Sequence, residues 1–328
     1  MKGARQRGSY MNYIVFDLEW NQCPEGKEKM DKLLPFEIIE IGAVKLSSSM
    51  ETVDEFSALI RPQVYKHIHF KTMEVIHINS MELKGGKPFQ EVAEDFFTWC
   101  GRSYTFCTWG PLDLSVLQKN LNYFGLETLL VGPIIFYDIQ KIFSIVFEDR
   151  KIRRNLEFAV DYLRIPKSNN FHRAYFDAYY TAKILPCFHA NELEKNYSID
   201  YYKNPKTKEE EIEVVYETYS KYISREFPTK EDVMEDRQVM SSICYKCNGN
   251  AKKKFRWFST NNNIYYCLAY CEEHGFIKGK LRMKKTEEGK FFCVKTLKLI
   301  EYQEAESIKE KKDMVQLKRK LKRNTQTH

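Results

Sequence analysis

A chain of 328 residues, 43% hydrophobic and 14% aromatic, can bury a sizeable core, which excludes global disorder. Its formal charge of +7 leans towards an anionic partner, and no run of about eighteen apolar residues offers a membrane span. The basic start MKGARQRGSY is not followed by an apolar signal segment, and Met11 could itself be a start, so the nine cysteines read as reduced thiols of a cytoplasmic protein.

In chain order, MNYIVFDLEWNQ is the first predicted strand. Tyr13 to Phe16 are strand formers, and the unbroken apolar run fits a strand covered on both faces. Side chains two apart share a face, so Asp17 and Glu19 converge. Two adjacent carboxylates repel and lose hydration on burial, so a cation, a buried base or solvent must compensate. FEIIEIGAVKL (36–46) and VDEFSALIRP (53–62) are the next strands, completing an antiparallel meander that Pro62 ends. PFQEVAEDFFTWCG has helical spacing and stops at Gly101; SYTFCTW is a fourth strand, followed by a helix that Asp113 begins. IIFYDIQKIFSIVF passes from strand to helix, NLEFAVDYLRI is a helix capped by Asn155, and HRAYFDAYYTAKILPCF closes the domain near residue 190. The pattern predicts an α/β domain over 11–190, with a mixed sheet flanked by helices. Residues 191–240 read as a charged helical connector in which TKEDVMED starts a capped helix. A cysteine-bearing module spans 241–300, and 301–328 is a basic tail, helical or disordered.

Further acids gather where the strand–helix order brings them to one end of the sheet. Asp113 in WGPLDLSVL, taken singly, is a helix cap; Asp177 in FHRAYFDAYY is a solvated side chain, and His172 a boundary histidine. Together with Asp17 and Glu19 they supply hard oxygen ligands suited to Mg²⁺ or Mn²⁺ and one base titrating near neutrality. Five residues on a helix rotate by about 140°, so His172 can share a site with Asp177 only if it precedes that helix.

The segments FDLEW, WGPLDLSVL and HRAYFDA resemble the three motifs of the DEDDh 3′→5′ exonucleases, which have a ribonuclease H-like fold. The resemblance covers about residues 11–190 and is supported by EIIEIGAVK and FSALIRP. It is greatest for the branch of inhibitor-of-sporulation exonucleases and the eukaryotic enzymes that trim histone mRNA and small interfering RNA. It implies Asp17, Glu19, Asp113 and Asp177 as ligands of two Mg²⁺ or Mn²⁺ ions and His172 as general base. It further implies a substrate of single-stranded RNA or DNA with a free 3′ end, RNA being favoured by that branch, and release of nucleoside 5′-monophosphates. The family segment lining the 3′-terminal nucleotide corresponds to VIHINS, making Ile78, with His77 and Asn79, candidate contacts. Trp20 and Trp109 flank motif acids, either as stacking platforms for a base or as core indoles. A DNA exonuclease of proofreading type and a non-catalytic nucleic-acid-binding adaptor remain alternatives; the complete set of five residues weighs against the adaptor.

In the cysteine module, Cys244 and Cys247 of CYKCNG have knuckle spacing, repeated by Cys271 and His274 of CEEHG. With two strands between them around an Asn-rich turn, these four read as a zinc ribbon holding one structural Zn²⁺, with Cys267 competing as a ligand. KKKFRWF interleaves Lys253 and Arg256 with Trp257, a pattern suited to single-stranded nucleic acid or to an ordinary solvated strand.

Overall fold

The computed structural model describes residues 11–76, 80–168, 171–286 and 288–325, so Ile78, with His77 and Asn79, lies outside the described residues. The chain divides into two compact units, the first ending at Tyr202 and the second beginning at Lys203.

In the first unit, β1 (Asn12–Gln22), β2 (Phe36–Leu46) and β3 (Thr52–Leu59) form the expected antiparallel meander. Three helices follow, α1 (Phe70–Val75), α2 (Ser80–Lys84) and α3 (Phe89–Cys100). Strand and helix then alternate through β4 (Tyr104–Thr108), α4 (Leu112–Tyr123), β5 (Ile134–Asp138) and α5 (Ile139–Val146). The unit closes with α6 (Leu156–Tyr162), α7 (Ala174–Ile184), α8 (Ala190–Asn196) and β6 (Ser198–Asp200). The sheet order is β3-β2-β1-β4-β5-β6, with β4 parallel to both β1 and β5. The strand period of two sends Ile14, Phe16 and Leu18 of β1 into a core with Phe96 of α3 and Leu117 of α4. Val15 faces the other way, packing with Phe143 of α5 and Tyr180 of α7. Asp17 and Glu19 share the Val15 side. Asn155 caps α6 as predicted, accepting a hydrogen bond from the Phe158 amide at 2.9 Å.

The second unit holds β7 (Ile212–Val215), β8 (Tyr219–Ile223), α9 (Lys230–Glu235), α10 (Arg237–Met240) and β9 (Lys252–Asn261). It continues with β10 (Ile264–Cys271), β11 (Gly275–Lys285), β12 (Phe291–Ile300) and α11 (Tyr302–Thr325). Its strands make one sheet in the order β7-β8-β12-β11-β10-β9. The expected helical connector over 191–240 is therefore not an independent segment. Its start, α8 and β6, completes the first unit, and β6 pairs with β5; β7 and β8 join the second sheet. These strands are three to five residues long and mostly half-exposed, which leaves little apolar alternation to read. The predicted helix start is present, with Thr229 and Asp232 forming a reciprocal cap on α9. Leu281, Met283 and Cys293 pack against Val233 and Val239 of α9 and α10 on one face of this sheet. The basic tail is helical; Ala305 and Ile308 of α11 dock on Leu268 and Phe255. Among the described residues no helix is long and apolar enough to cross a membrane.

Candidate active site and metal-binding cluster

The β1–β2 register sets Asp17 opposite Gly42 and Glu19 opposite Glu40. At Gly42 the backbone of α7 crosses β2 with no room for a side chain. Asp177, on the first turn of α7, is thereby brought over β1. One carboxylate oxygen each of Asp17, Glu19 and Asp177 lies within 4.8 Å of the others.

Asp113 joins from α4, whose Leu114, Leu117 and Leu121 pack on the other face of the sheet. It sits in the first turn of α4, whose cap position is Pro111, and its Oδ1 accepts a hydrogen bond from the Leu18 amide at 3.2 Å. That amide lies between Asp17 and Glu19, so the bond ties the start of α4 to the strand bearing the acids. Seven residues on, about the same face of the helix, Asn120 makes a second tie. Its Oδ1 accepts from the Ile38 amide at 3.1 Å and its Nδ2 donates to the Phe36 carbonyl at 2.9 Å. There the β1–β2 pairing slips, from Glu19 opposite Glu40 to Trp20 opposite Ile38, and the amide side chain satisfies β2 groups near the slip.

Glu19 and Glu40 are like charges directly across a strand pair, an arrangement that destabilises unless a cation intervenes. Arg173, the residue before α7, supplies one: its guanidinium donates to both Glu40 oxygens at 2.9–3.2 Å, and the Ala174 amide donates to Glu40 Oε2 at 3.2 Å. Glu40 is 1% exposed. It thus anchors the N-terminus of the helix that carries Asp177. Glu40, Arg173 and Asn120 are absent from the sequence-derived site. The available signal is a glutamate inside the otherwise buried run FEIIEIGAV.

His172 precedes α7, as its spacing requires. It is exposed, with φ of 68°, a left-handed conformation uncommon outside glycine that histidine adopts more readily than most residues. Its amide donates to Asp177 Oδ2 at 3.2 Å, fixing the entry to the helix relative to the acids.

Burial and mutual repulsion push these carboxyls towards their neutral forms. Burial is the largest cause in every case, raising Glu19 to about 9, Asp113 to about 7 and Asp177 to about 6. Asp17 is raised well above its ordinary value by burial and then by the charges of Asp113 and Asp177. Asp177 Oδ1 is buried without any hydrogen-bond partner. A buried, orphaned acceptor among clustered carboxylates is what a hard divalent cation would satisfy, so the residues present fit Mg²⁺ or Mn²⁺.

The two indoles flanking the acids pack inward. Trp109 donates its Nε1–H to the Arg154 carbonyl at 3.2 Å and lies against Phe143, while Trp20 packs on Phe36 at the edge of the α3–α4 core. In the second unit Lys253 and Arg256 are exposed on β9. Trp257, a candidate base contact, instead donates to the Met240 carbonyl at 3.2 Å and covers Gly279, in contact with the core. The indole is half-buried there.

Cys244, Cys247, Cys271 and His274 converge with one donor atom each inside 4.8 Å of the rest. The first pair sits on a turn closed by the Asn248 amide to the Cys244 carbonyl at 2.7 Å. The second spans the β10–β11 hairpin, where Gly275 has φ of 86°. The Cys247–Cys271 sulfur separation is 3.7 Å and Cys271 Sγ to His274 Nδ1 is 3.8 Å. A tetrahedron with Zn–S bonds of about 2.3 Å has edges of about 3.8 Å, so the donor set fits Zn²⁺. Cys267 lies outside the cluster, 3.8 Å from the Ser242 hydroxyl.

The exonuclease family pattern (RNase_T) matches residues 14–185, over half of the chain. Similar solved structures include the nuclease domain of 3′hExo, a DEDDh family member, bound to rAMP. It is 18% identical, with 58% of this chain and 96% of that one covered and a TM-score of 0.48. Cell-death related nuclease 4 is 15% identical, with 58% and 66% covered and a TM-score of 0.45. The zinc-bound E. coli exonuclease I complex with single-stranded DNA is 11% identical, with 56% and 42% covered and a TM-score of 0.44. No curated protein sequence matches the chain. The acids converge within the matched segment, and the chain belongs to the exonuclease family, nucleases whose chemistry uses divalent metal ions.

Proposed function

We propose that the first unit is a 3′→5′ exonuclease that hydrolyses single-stranded nucleic acid, RNA in preference to DNA, and releases nucleoside 5′-monophosphates. The observation that carries this reading is the convergence of Asp17, Glu19 and Asp177, with Asp113 beside them and one Asp177 oxygen left unsatisfied. These four acids would hold two Mg²⁺ or Mn²⁺ ions, which when bound offset the clustered charge and polarise the scissile phosphodiester. His172, exposed at the entry to α7, takes a proton from the attacking water. The water oxygen bonds to phosphorus, the bond from phosphorus to O3′ breaks, and the leaving oxygen takes a proton from solvent. Glu40 and Arg173 hold Asp177 and His172 in register, and Asn120 does the same for Asp113. Preference for RNA is supported by the sequence resemblance to RNA-trimming enzymes. In the second unit, the three cysteines and His274 would hold one structural Zn²⁺.

The test is His172→Ala. The rate should fall about 10²–10⁴-fold with Mn²⁺ affinity retained. A normal rate, or a loss explained by absent metal binding, contradicts the role given to His172.

A further inference from the structure

The second unit carries a charged sheet face that the acid site does not use. Along β11, Ile277, Leu281 and Met283 turn into the cores beneath the sheet, which leaves Lys278, Lys280, Arg282 and Lys284 on the other face. The register extends the charge sideways: Lys298 of β12 stands directly opposite Lys278, and Thr296 opposite Lys280. Like charges placed directly across a ladder destabilise it. Glu304 of α11 offsets part of this repulsion, meeting Lys278 at 2.6 Å and also interacting with the charge of Lys298. Among the described residues, Lys280, Arg282 and Lys298 form no ion pair. Arg282 and Lys298 are exposed and Lys280 half-exposed. Tyr266 of β10, opposite Lys280, lies beneath three ammonium groups: those of Lys311, Lys280 and Lys278 are 4.7, 5.8 and 6.0 Å from its ring centre.

We propose that this β11–β12 face is a binding track for the phosphate backbone of single-stranded nucleic acid, centred on Lys280, Arg282 and Lys298. The proposal takes its ligand class from the substrate reading above. Residues two apart on β11 repeat at about 6.8 Å, an interval that successive phosphates of an extended strand can follow. Tyr266 holds three of these cations over its ring and so gathers the charge on this face. A polyanion lying here offsets the repulsion that the strand register builds in. An anionic membrane would want apolar side chains to insert, and the exposed large apolar residues of this unit lie on β7 and α11, none on β10, β11 or β12.

The experiment measures binding of a long fluorescent single-stranded RNA to the full chain without added divalent cation, over about 0.1–0.5 M salt. The readout is independent of whether the chain cleaves, so failure of the track and failure of the exonuclease reading are separable. In the triple variant Lys280→Ala, Arg282→Ala, Lys298→Ala, three lost phosphate contacts should make the logarithmic salt slope shallower by about 2. Affinity should fall about a hundredfold at 0.1 M salt and only about fourfold at 0.5 M. The charge-keeping set Lys280→Arg, Arg282→Lys, Lys298→Arg should bind like the parent. A control triple, Lys29→Ala, Lys87→Ala, Lys167→Ala, removes the same charge from residues already paired with Glu25, Asp95 and Glu157, and should also bind like the parent. Parental affinity and slope in the first triple would overturn the proposal, as would an equal loss in the control. So would lost binding to phosphatidylserine vesicles with RNA binding intact.

Discussion

A β-carbon built on Gly42 would fall 2.0 Å from the backbone nitrogen of Tyr175 and 2.2 Å from the Ala174 carbonyl carbon. Helix α7 rests on bare β2 backbone across from Asp17, and Asp177 reaches the other acids two residues past that contact. Gly42→Ala must displace the helix, because both clashing atoms are backbone. Misplacing a reacting group by about 1 Å can cost about 10²-fold in rate. Nuclease activity should therefore fall by about that factor or more, although the substitution removes no chemical group. Parental activity in a folded Gly42→Ala protein, checked by circular dichroism, would contradict this placement.

Glu40 and Arg173 should be coupled energetically. Glu40 is buried and Arg173 is 30% exposed in its side chain, so Arg173 can return to water when its partner is removed, which softens the loss. A double-mutant cycle of Glu40→Ala and Arg173→Ala should give a coupling of roughly 0.5–3 kcal/mol by denaturant unfolding. Glu40→Ala should also weaken Mn²⁺ binding through displacement of α7. Additive unfolding energies with unchanged Mn²⁺ affinity would show that the pair does not position the site.

Stability should depend on pH in a direction that metal reverses. Asp177, Asp113 and Glu19 keep their protons to about 6, 7 and 9 in the folded chain, against about 4 when unfolded. The folded state therefore binds more protons across this window. Its contribution from these groups is complete below about pH 4 and is lost as pH rises through 6, 7 and 9. Mg²⁺ held by these acids would take the place of those protons. Thermal unfolding should show a larger Mg²⁺-induced rise in Tm at about pH 8.5 than at about pH 6. A shift that shrinks with rising pH would contradict the assignment of these acids as ligands.

Metal analysis of the purified chain should find about one zinc ion, lost in Cys247→Ala or Cys271→Ala. Because the four donors lie on a turn and a hairpin of the second sheet, zinc removal should lower the unfolding temperature of that unit. Cys267→Ala should retain zinc. Full zinc content in Cys271→Ala would place the ion elsewhere.

Asp17 and Glu19 are legible in the sequence because two charges at strand spacing inside an apolar run have few structural explanations. Asp113 and Asp177 become legible only as part of that set, since each alone has the spacing of an ordinary helix residue. Glu40, Arg173 and Asn120 are not legible. Their roles depend on which residues the sheet register and helix docking place side by side, which no local pattern encodes. Strands β6, β7 and β8 escape for a different reason: they are short, and β6 and β8 are held by partners far along the chain, with β7 added to β8 as a hairpin. Trp257 belongs to a run whose composition suits nucleic acid, but a register shift in the β9–β10 pairing separates it from the face of Phe255 and sets its ring against Gly279.

The chemistry proposed for the acid cluster is removal of nucleotides from a free 3′ end. Its most direct test follows 5′-labelled single-stranded RNA and DNA incubated with the full chain and Mn²⁺, alongside Asp17→Ala and Asp113→Ala. The parent should shorten the strands stepwise from the 3′ end, faster on RNA, releasing nucleoside 5′-monophosphates, with no turnover by either folded variant. Undiminished 3′-end trimming by Asp17→Ala or Asp113→Ala at equal enzyme concentration, or no trimming by the parent with Mn²⁺ or Mg²⁺, would contradict this chemistry.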